Sequence, residues 1–236
     1  MSSYQLIHAG VTDTGNVRET NQDQLLADGD LVAVADGMGG HRAGEVASRL
    51  AIDALRDAFA ADPTADGLVA AVHAANRSVW EQSEADPALH GMGTTLVAVA
   101  LVGASLAVVN VGDSRAYLLQ DGRLRRLTSD HSLVAELVRS GAISEDEART
   151  HPRRNILTQV LGVTDSISPY VGEAIPERGE RLLLCSDGLF NELDEPQIAA
   201  ILTEVADPTT AATRLVDAAN HAGGTDNITA LILDIA

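Results

Sequence analysis

Residues Leu31 to Gly40, with the sequence LVAVADGMGG, carry the clearest structural signal in the chain. The five apolar residues predict a buried strand, which runs directly into Asp36 and then into three glycines within four residues. A carboxylate at the end of an apolar strand, before a turn almost without side chains, indicates a binding loop. Two ligands stay open at this point: the phosphates of a nucleotide, or a cation held by the carboxylate.

Apolar runs on both sides of this stretch predict further strands, and a change to helical periodicity from Ala43 onward predicts helices. The Asp121-Gly122 pair between two short runs predicts a hairpin. The predicted strands are Leu6–Thr12, Gln24–Leu26, Leu31–Ala35, Thr94–Val102, Ser105–Val111, Arg115–Leu119, Arg123–Leu127, Arg181–Cys185 and Ile228–Ile235. The predicted helices lie around Val46–Ala58 and Leu68–Trp80 and over Ser132–Arg139, Glu195–Val205 and Thr209–Asn220.

The order of these elements predicts the fold class. Strands and helices do not alternate regularly, which argues against a doubly wound parallel sheet and favours a largely antiparallel, layered α+β fold. A chain of 236 residues without a low-complexity linker or an internal repeat fits one domain, residues 1–236. Only 3% of the residues are aromatic, so the core must be filled by many small side chains.

Composition excludes several classes of function. A net charge of −18 makes nucleic acid a poor partner. All 16 basic residues are arginine, which excludes the phosphate-loop lysine of nucleotide hydrolases and Schiff-base chemistry. The lone Cys185 excludes an internal disulfide. With no signal peptide and no apolar run approaching 18 residues, we expect a cytoplasmic chain without membrane association.

Aspartates recur where predicted strands meet loops. Strand ends are rigid, and loops at one end of a sheet converge, so these carboxylates are expected to meet. Clustered carboxylates repel one another unless a cation neutralises them, and their hard oxygens suit Mg²⁺ or Mn²⁺. An isolated Asp-Gly pair is more often a simple turn, and Asp121-Gly122 is left out for that reason. The candidate ligands are Asp23, Asp36, Asp113, Asp187 and Asp226.

The nucleotide alternative fails in its details. A dinucleotide-binding loop needs the pattern G-x-G-x-x-G, and Gly37 and Gly39 fit its first two glycines, but Arg42 stands at the third position. Asp36 would also direct negative charge at the pyrophosphate. A cation is therefore a better candidate ligand for the loop after this strand than a phosphate group is.

Eight segments together resemble the metal-dependent protein phosphatase family of type 2C in its compact bacterial form. They occur in the order of the family and cover almost the whole chain. The resemblance implies a four-layer α-β-β-α sandwich, and hydrolysis of phosphoserine and phosphothreonine in proteins with two Mg²⁺ or Mn²⁺ ions. The segments are RETNQD, VADGMGGH, GTTL, NVGDSRAY, LTSDHS, HPRRNILTQVLG, LLLCSDGL and GTDNIT.

The resemblance also implies roles for single residues. Asp36 would bridge both metals with the Gly37 carbonyl on one of them, and Asp187 and Asp226 would bind the first metal. Asp23 would hold metal-bound water. Asp113, with Asp187, would form a weaker third metal site. Arg18 would bind the substrate phosphate through its planar guanidinium.

Two positions depart from the animal members of the family. Met38 stands where they carry a histidine, proposed there as the general acid, so this role does not transfer to the chain. His41 lies three residues further on and is a weaker candidate for a catalytic part. Gln22 replaces a glutamate and leaves the second metal one potential acidic contact short.

The implied mechanism is a single in-line displacement in which a hydroxide bridging the two metals attacks phosphorus. Cys185 is not the nucleophile of a cysteine phosphatase, because Asn191 stands where such enzymes need arginine. Residues 129–162 match a variable flap of the family, and Arg153 and Arg154 there would steer acidic phosphopeptides.

We expect a monomer that opposes a bacterial Ser/Thr kinase of the eukaryotic-like type. A binding protein without activity and a phosphatase for small molecules remain as alternatives.

Overall fold

The computed structural model describes residues 4–39 and 43–236, and that part of the chain contains eleven strands and seven helices. The strands are β1 (Leu6–Asp13), β2 (Asp23–Asp28), β3 (Leu31–Met38), β4 (Gly93–Thr94), β5 (Leu96–Val102), β6 (Ser105–Val111), β7 (Arg115–Gln120), β8 (Arg123–Arg126), β9 (Tyr170–Ala174), β10 (Arg181–Cys185) and β11 (Ile228–Ile235). The helices are α1 (Ala43–Ala61), α2 (Ala65–Ala85), α3 (Leu133–Arg139), α4 (Glu145–Arg149), α5 (Asp187–Phe190), α6 (Glu195–Glu204) and α7 (Pro208–Ala222).

The strands form two antiparallel sheets. One sheet has the order β1-β11-β10-β7-β8, and the other has the order β2-β3-β5-β6-β9 with β4 paired to β3. Each strand pairing in both sheets is antiparallel. The first and last long strands, β1 and β11, pair along eight residues, so both ends of the described chain belong to one sheet.

The two sheets pack face to face through alternate residues of their strands. Val32 and Val34 of β3 share one apolar cluster with Leu182 and Leu184 of β10, and all four are fully buried. Because consecutive residues of a strand point to opposite faces, the residues in between point outward to a helical layer. Each central strand is therefore buried on both faces, which explains why its sequence is apolar throughout rather than alternating.

Helices cover the outer face of each sheet. Ala33 and Ala35 of β3 join a cluster with Ala47 and Ala51 of α1, and α2 belongs to the same layer. The other sheet presents Leu183 and its neighbours to α6 and α7 in a separate cluster. This arrangement confirms the α-β-β-α sandwich and the core of small side chains. No helix in the described residues has an apolar stretch long enough to cross a bilayer.

Most predicted elements agree with the structure, and three have the predicted bounds. These are β6, β10 and β11, each a long apolar run between turn residues. The predicted hairpin is also confirmed, because Asp121 and Gly122 join β7 to β8 with φ angles of 49° and 70°. Positive φ at both central residues is typical of a type I′ turn. The predicted strand Thr94–Val102 divides at Thr95 into β4 and β5.

Three elements were missed. Strand β9 lies at the edge of its sheet, and its sequence YVGEA contains a glycine and a glutamate in place of an apolar run. Helix α4 has five residues and is stabilised by a capping box between Ser144 and Glu147. Helix α5 is a four-residue turn that begins at Asp187. Local capping specifies α4 and edge pairing specifies β9, and neither leaves a hydrophobic periodicity in the sequence.

The segment between β8 and β9 contains α3 and α4 and forms no sheet with the core strands. An isolated bridge between Thr94 and Leu161 connects its end to β4. Asn76 of α2 accepts a hydrogen bond from the Gly162 N–H at 2.9 Å and donates one to the Thr164 carbonyl at 3.0 Å. The ends of the segment are thus fixed to the sandwich. Its identity as a flap over residues 129–162 stays a prediction.

Candidate functional site

The five predicted aspartates gather in one place. Asp23 begins β2 and is the direct strand partner of Asp36 near the end of β3. Asp187 begins α5 immediately after β10, whereas Asp113 and Asp226 lie in the loops after β6 and before β11. The negative charges of the other four all raise the pKa of Asp36, after the larger effect of its own burial. Carboxylates from distant parts of the chain are therefore neighbours in space.

Asp23 is the most deeply buried member of the group, with 1% of its surface exposed. Its Oδ2 accepts hydrogen bonds from the hydroxyls of Ser186 at 2.7 Å and Thr229 at 2.6 Å. Its Oδ1 is buried and accepts no hydrogen bond from the described residues. Burial raises the pKa of Asp23 to about 7, although the two hydroxyls oppose this effect. A buried carboxylate oxygen without a donor is costly and marks a place for a further ligand.

Asp187 presents a second such oxygen. Its Oδ2 accepts a hydrogen bond from the Asn191 side chain at 3.0 Å, one turn later in the same helical segment. Its Oδ1 is buried and has no partner in the described part of the chain. Burial raises the pKa of Asp187 to about 6, and the negative charge of Asp226 adds to the effect.

The backbone of Asp36 is fixed by Thr95. Its N–H donates to the Thr95 hydroxyl at 3.0 Å, and its carbonyl accepts from the Thr95 N–H at 2.9 Å. The next residue must be glycine, because a Cβ at Gly37 would overlap the carbonyl oxygen of Gly44 in α1. This close approach brings the start of α1 against the end of β3, beside the carboxylates.

Arg18 forms an ion pair with Asp226. Its Nη2 donates to Asp226 Oδ2 at 2.7 Å, and 54% of the arginine side chain is exposed. The hydrogen bond to Asp226 is the largest cause of a raised Arg18 pKa, and the charges of Asp36 and Asp187 act in the same direction. The guanidinium therefore faces the carboxylate group from the solvent side.

Asp113 lies near both Asp187 and Asp130. Burial raises its pKa well above the usual range, and the negative charges of Asp187 and Asp130 add to the increase. The positive charge of Arg115 lowers it. Asp113 is thus on the side of the site that continues toward residues 129–162.

The chemistry of these residues fits divalent cations. The donors are hard carboxylate oxygens, two of which are buried without a hydrogen bond, and their mutual repulsion would be relieved by bound positive charge. Among the residues that the structure describes, no three Asp, Glu, His or Cys side chains stand ready as a closed metal site. Arg18 donates a hydrogen bond to one oxygen of Asp226. That oxygen can bind a cation only after it releases the arginine. The individual ligand assignments stay predictions.

The two positions that depart from the animal members of the family have different surroundings. Met38 is 41% exposed beside the carboxylates. The Gln22 carbonyl accepts hydrogen bonds from the Ser48 hydroxyl at 2.6 Å and from the Gly37 N–H at 3.2 Å. Gln22 therefore joins β3 to α1 through its backbone. His41 lies outside the described residues.

The sequence analysis missed the polar residues that hold the aspartates in place. Ser186 and Thr229 bind Asp23, as described above. Asn227 is 5% exposed, and its amide donates to the carbonyls of Thr14 and Thr20, both at 2.9 Å. Its Oδ1 accepts the Gln22 N–H at 2.8 Å. The signal in the sequence is the presence of polar residues at the ends of otherwise apolar strands.

Asn227 fixes the loop that carries Arg18, so we expect Asn227→Ala to displace the guanidinium to which the resemblance assigns the substrate phosphate. The change leaves three backbone groups without partners and is expected to cost about 2–4 kcal/mol of unfolding free energy. Loosening the loop should also raise KM by about tenfold while kcat changes less. Urea unfolding and steady-state kinetics measure the two effects separately. A destabilised variant with wild-type KM would assign Asn227 a structural role only, and Asn227→Asp, which keeps only the acceptor, should resemble alanine.

Cys185 lies in the core rather than in the site. It is fully buried among the side chains between β10 and the outer helices, and burial raises the pKa of its thiol to about 12. A protonated, inaccessible thiol is not a nucleophile. The geometry therefore agrees with the sequence analysis in excluding cysteine chemistry.

Comparison with known proteins gives a consistent match. The family profile of protein phosphatase 2C matches residues 16–220. The serine/threonine protein phosphatase PstP of Mycobacterium tuberculosis is 41% identical over 233 residues, which cover 98% of this chain and 45% of that protein. The chain therefore spans about half the length of this relative.

A shorter relative and a solved structure match over nearly their whole length. The serine/threonine phosphatase stp of Listeria monocytogenes is 41% identical over 235 residues, covering 94% of this chain and 93% of that protein. The catalytic domain of the serine/threonine protein phosphatase PstP, solved in complex with two manganese ions, has a TM-score of 0.90 and 38% identity. That alignment covers 99% of this chain and 100% of the solved chain.

Proposed function

This chain belongs to the protein phosphatase 2C family, a family of phosphoprotein phosphatases, and we propose that it hydrolyses phosphoserine and phosphothreonine in proteins with divalent metal ions. The observation that carries the proposal is the group of five aspartates beside an exposed arginine. Two buried oxygens of this group accept no hydrogen bond from the described residues, and its carboxylate pKa values are raised by burial and by mutual repulsion. Such a group binds cations, and the arginine adds an anion site next to it.

The metals are proposed to be Mg²⁺ or Mn²⁺. Asp36 and the Gly37 carbonyl, with Asp187 and Asp226, would hold two ions, and Asp113 would contribute to a weaker third site. Asp23 would orient water through the oxygen that Ser186 and Thr229 leave unused. When bound, two divalent ions supply an activated water nucleophile and neutralise charge on the phosphoryl group. The solved relative with two manganese ions supports a two-metal site.

Arg18 is proposed to bind the phosphate of the substrate. Its guanidinium is half exposed, planar and always charged, and it matches the geometry of phosphate oxygens. In the ion pair with Asp226, this guanidinium is held at the edge of the carboxylate group before substrate arrives. Transfer of Arg18 to the phosphate leaves the Asp226 oxygen to a cation. The arginine therefore orients the phosphate and keeps it next to the ions.

The departing serine or threonine oxygen needs a proton. Met38 has no proton to donate, so no side chain at this position serves as general acid. Water is the proton donor in our proposal, and Asp23 would orient it through its unused Oδ1. The expected substrates are phosphoproteins modified by a bacterial Ser/Thr kinase of the eukaryotic-like type. We further propose that the chain acts in the cytoplasm as a monomer.

The test compares three conditions with the purified chain. A phosphothreonine peptide and the small ester 4-nitrophenyl phosphate are assayed in Mn²⁺, and the peptide is assayed again in excess EDTA. We expect peptide hydrolysis in Mn²⁺ with a higher kcat/KM than for the ester, and no turnover in EDTA. Full activity in EDTA would refute the role of metal. Hydrolysis of the ester alone would favour a phosphatase for small molecules, and peptide binding without turnover would favour an inactive binding protein.

A further inference from the structure

A groove of about 710 Å³ continues from the candidate active site toward the segment between β8 and β9. Its lining includes Asp113 and Asp187 of the candidate site. The helical segment forms one wall, and the residues after α5 form the opposite wall. The groove is thus open to the same molecule that presents its phosphate to the aspartates.

Two arginines on the floor of the groove share one carboxylate. Arg115 binds Asp130 through Nε and Nη2, with a shortest distance of 2.7 Å, and Arg126 approaches the same carboxylate at 3.6 Å. The Arg115 guanidinium also stacks on Phe190 at 3.7 Å and donates to the Tyr117 hydroxyl at 3.1 Å. Arg115 and Arg126 share the single carboxylate of Asp130, so their positive charge is already partly neutralised.

The helical wall carries arginines without carboxylate partners. Arg139 donates to the Ser129 hydroxyl at 2.8 Å, and its positive charge helps to lower the pKa of His131, after the larger effect of burial. Arg149 and Arg154 are exposed, and neither guanidinium has an ion pair or hydrogen bond within the described residues. Glu145 of α4 also lines this wall, which therefore carries three arginines and one carboxylate, an uneven placement of charge in a chain with 34 acidic and 16 basic residues.

The opposite wall is acidic, and two of its carboxylates already accept hydrogen bonds from the protein. Glu192 accepts hydrogen bonds from the Thr225 N–H at 3.0 Å and hydroxyl at 2.6 Å, and Asp194 caps α6 through the Gln197 N–H at 2.9 Å. A negative group in the groove is therefore repelled from this wall and attracted to the arginines of the other. The charge distribution selects both the sign of the ligand and the side on which it binds.

We propose that the groove binds the polypeptide next to the phosphorylated residue and that Arg149 and Arg154 pair with an anionic side chain of that segment. This inference rests on the proposed function. The anionic group is a carboxylate or a second phosphate, since both match a guanidinium. Of the two arginines predicted to steer acidic peptides, Arg154 lines the groove and Arg153 does not. The specificity therefore depends on Arg149 together with Arg154.

The experiment measures kcat/KM in Mn²⁺ for three phosphothreonine peptides, flanked by alanine, by aspartate and glutamate, or by a second phosphoserine. The tested protein is the double variant Arg149→Gln/Arg154→Gln. The matched control is Arg77→Gln/Arg153→Gln, which changes the net charge equally outside the groove. Hydrolysis of 4-nitrophenyl phosphate measures the activity of each variant on a substrate that has no flanking residues.

We expect the wild type and the control to prefer an anionic flank by about fivefold, a preference that weakens with added salt. The groove variant should lose this preference and keep wild-type kcat/KM for 4-nitrophenyl phosphate. The flank that raises kcat/KM above that of the alanine-flanked peptide, either the carboxylates or the second phosphate, identifies which anion the groove binds. Equal rates for all three wild-type peptides, or equal loss in both double variants, would overturn the groove proposal and leave the proposed function intact. Absence of all peptide hydrolysis would overturn both.

Discussion

Asp36→Asn is expected to abolish phosphatase activity and, in the absence of metal, to stabilise the fold. Asp36 lies among four other aspartates whose charges raise its pKa, so its ionised form destabilises the metal-free protein. Asparagine has the same shape, removes this repulsion and can donate a hydrogen bond to Asp187. It lacks the negative charge that Asp36 would supply to the proposed cations, and the loss of activity should reach about a thousandfold.

Two measurements on one variant test this expectation. Thermal unfolding in EDTA at pH 8 should show a higher Tm for Asp36→Asn, by roughly 5 °C for about 2 kcal/mol. Activity in Mn²⁺ should fall to background. Asp121→Asn is the control, because this aspartate lies in the exposed β7–β8 turn, where asparagine also tolerates positive φ. A variant that is both inactive and less stable in EDTA would contradict the electrostatic account and indicate that Asp36 only holds the fold together.

The fold could be predicted from the sequence wherever hydrophobic runs specify it. Strand β10 is five apolar or amphipathic residues between an acidic turn and a serine, and its predicted bounds agree with the structure. Strand β9 could not be predicted, because an edge strand is buried on less of its surface and tolerates Gly172 and Glu173. Its place in the sheet depends on pairing with β6, which lies some sixty residues earlier. Non-local pairing of this kind leaves no local pattern.

The candidate site could be predicted in its acidic residues but not in their contacts. Aspartates at strand ends are visible in the sequence because glycine and apolar residues surround them. The ion pair between Arg18 and Asp226 joins positions separated by 208 residues, and no spacing rule predicts it. The same holds for the hydroxyls of Ser186 and Thr229 on Asp23, since serine and threonine at strand ends are common without any role. Sequence motifs therefore point to the candidate aspartates, whereas the fold alone shows which side chains hold them in place.

The stability of the metal-free protein is expected to fall as pH rises from about 4 to about 8. Burial raises the pKa of Asp23 to about 7 and that of Asp187 to about 6, against 3.8 in the unfolded chain. Between these values the folded state binds more protons than the unfolded state, so the unfolding free energy decreases with increasing pH. For Asp23 the loss should be on the order of 4 kcal/mol, complete once the pH exceeds its folded pKa.

Asp23→Asn isolates this contribution, because asparagine keeps an oxygen for Ser186 and Thr229 but does not titrate. In EDTA, the variant should match the wild type near pH 4 and exceed it in urea stability near pH 8. Mn²⁺ should reverse the trend for the wild type, since cations bind the ionised carboxylates and compete with protons, so stabilisation by Mn²⁺ should grow with pH. Asp121→Asn should follow the wild-type curve throughout. A constant offset between Asp23→Asn and the wild type at all pH values would mean that Asp23 is already ionised in the metal-free fold, and that its buried oxygens are neutralised by some group other than a proton.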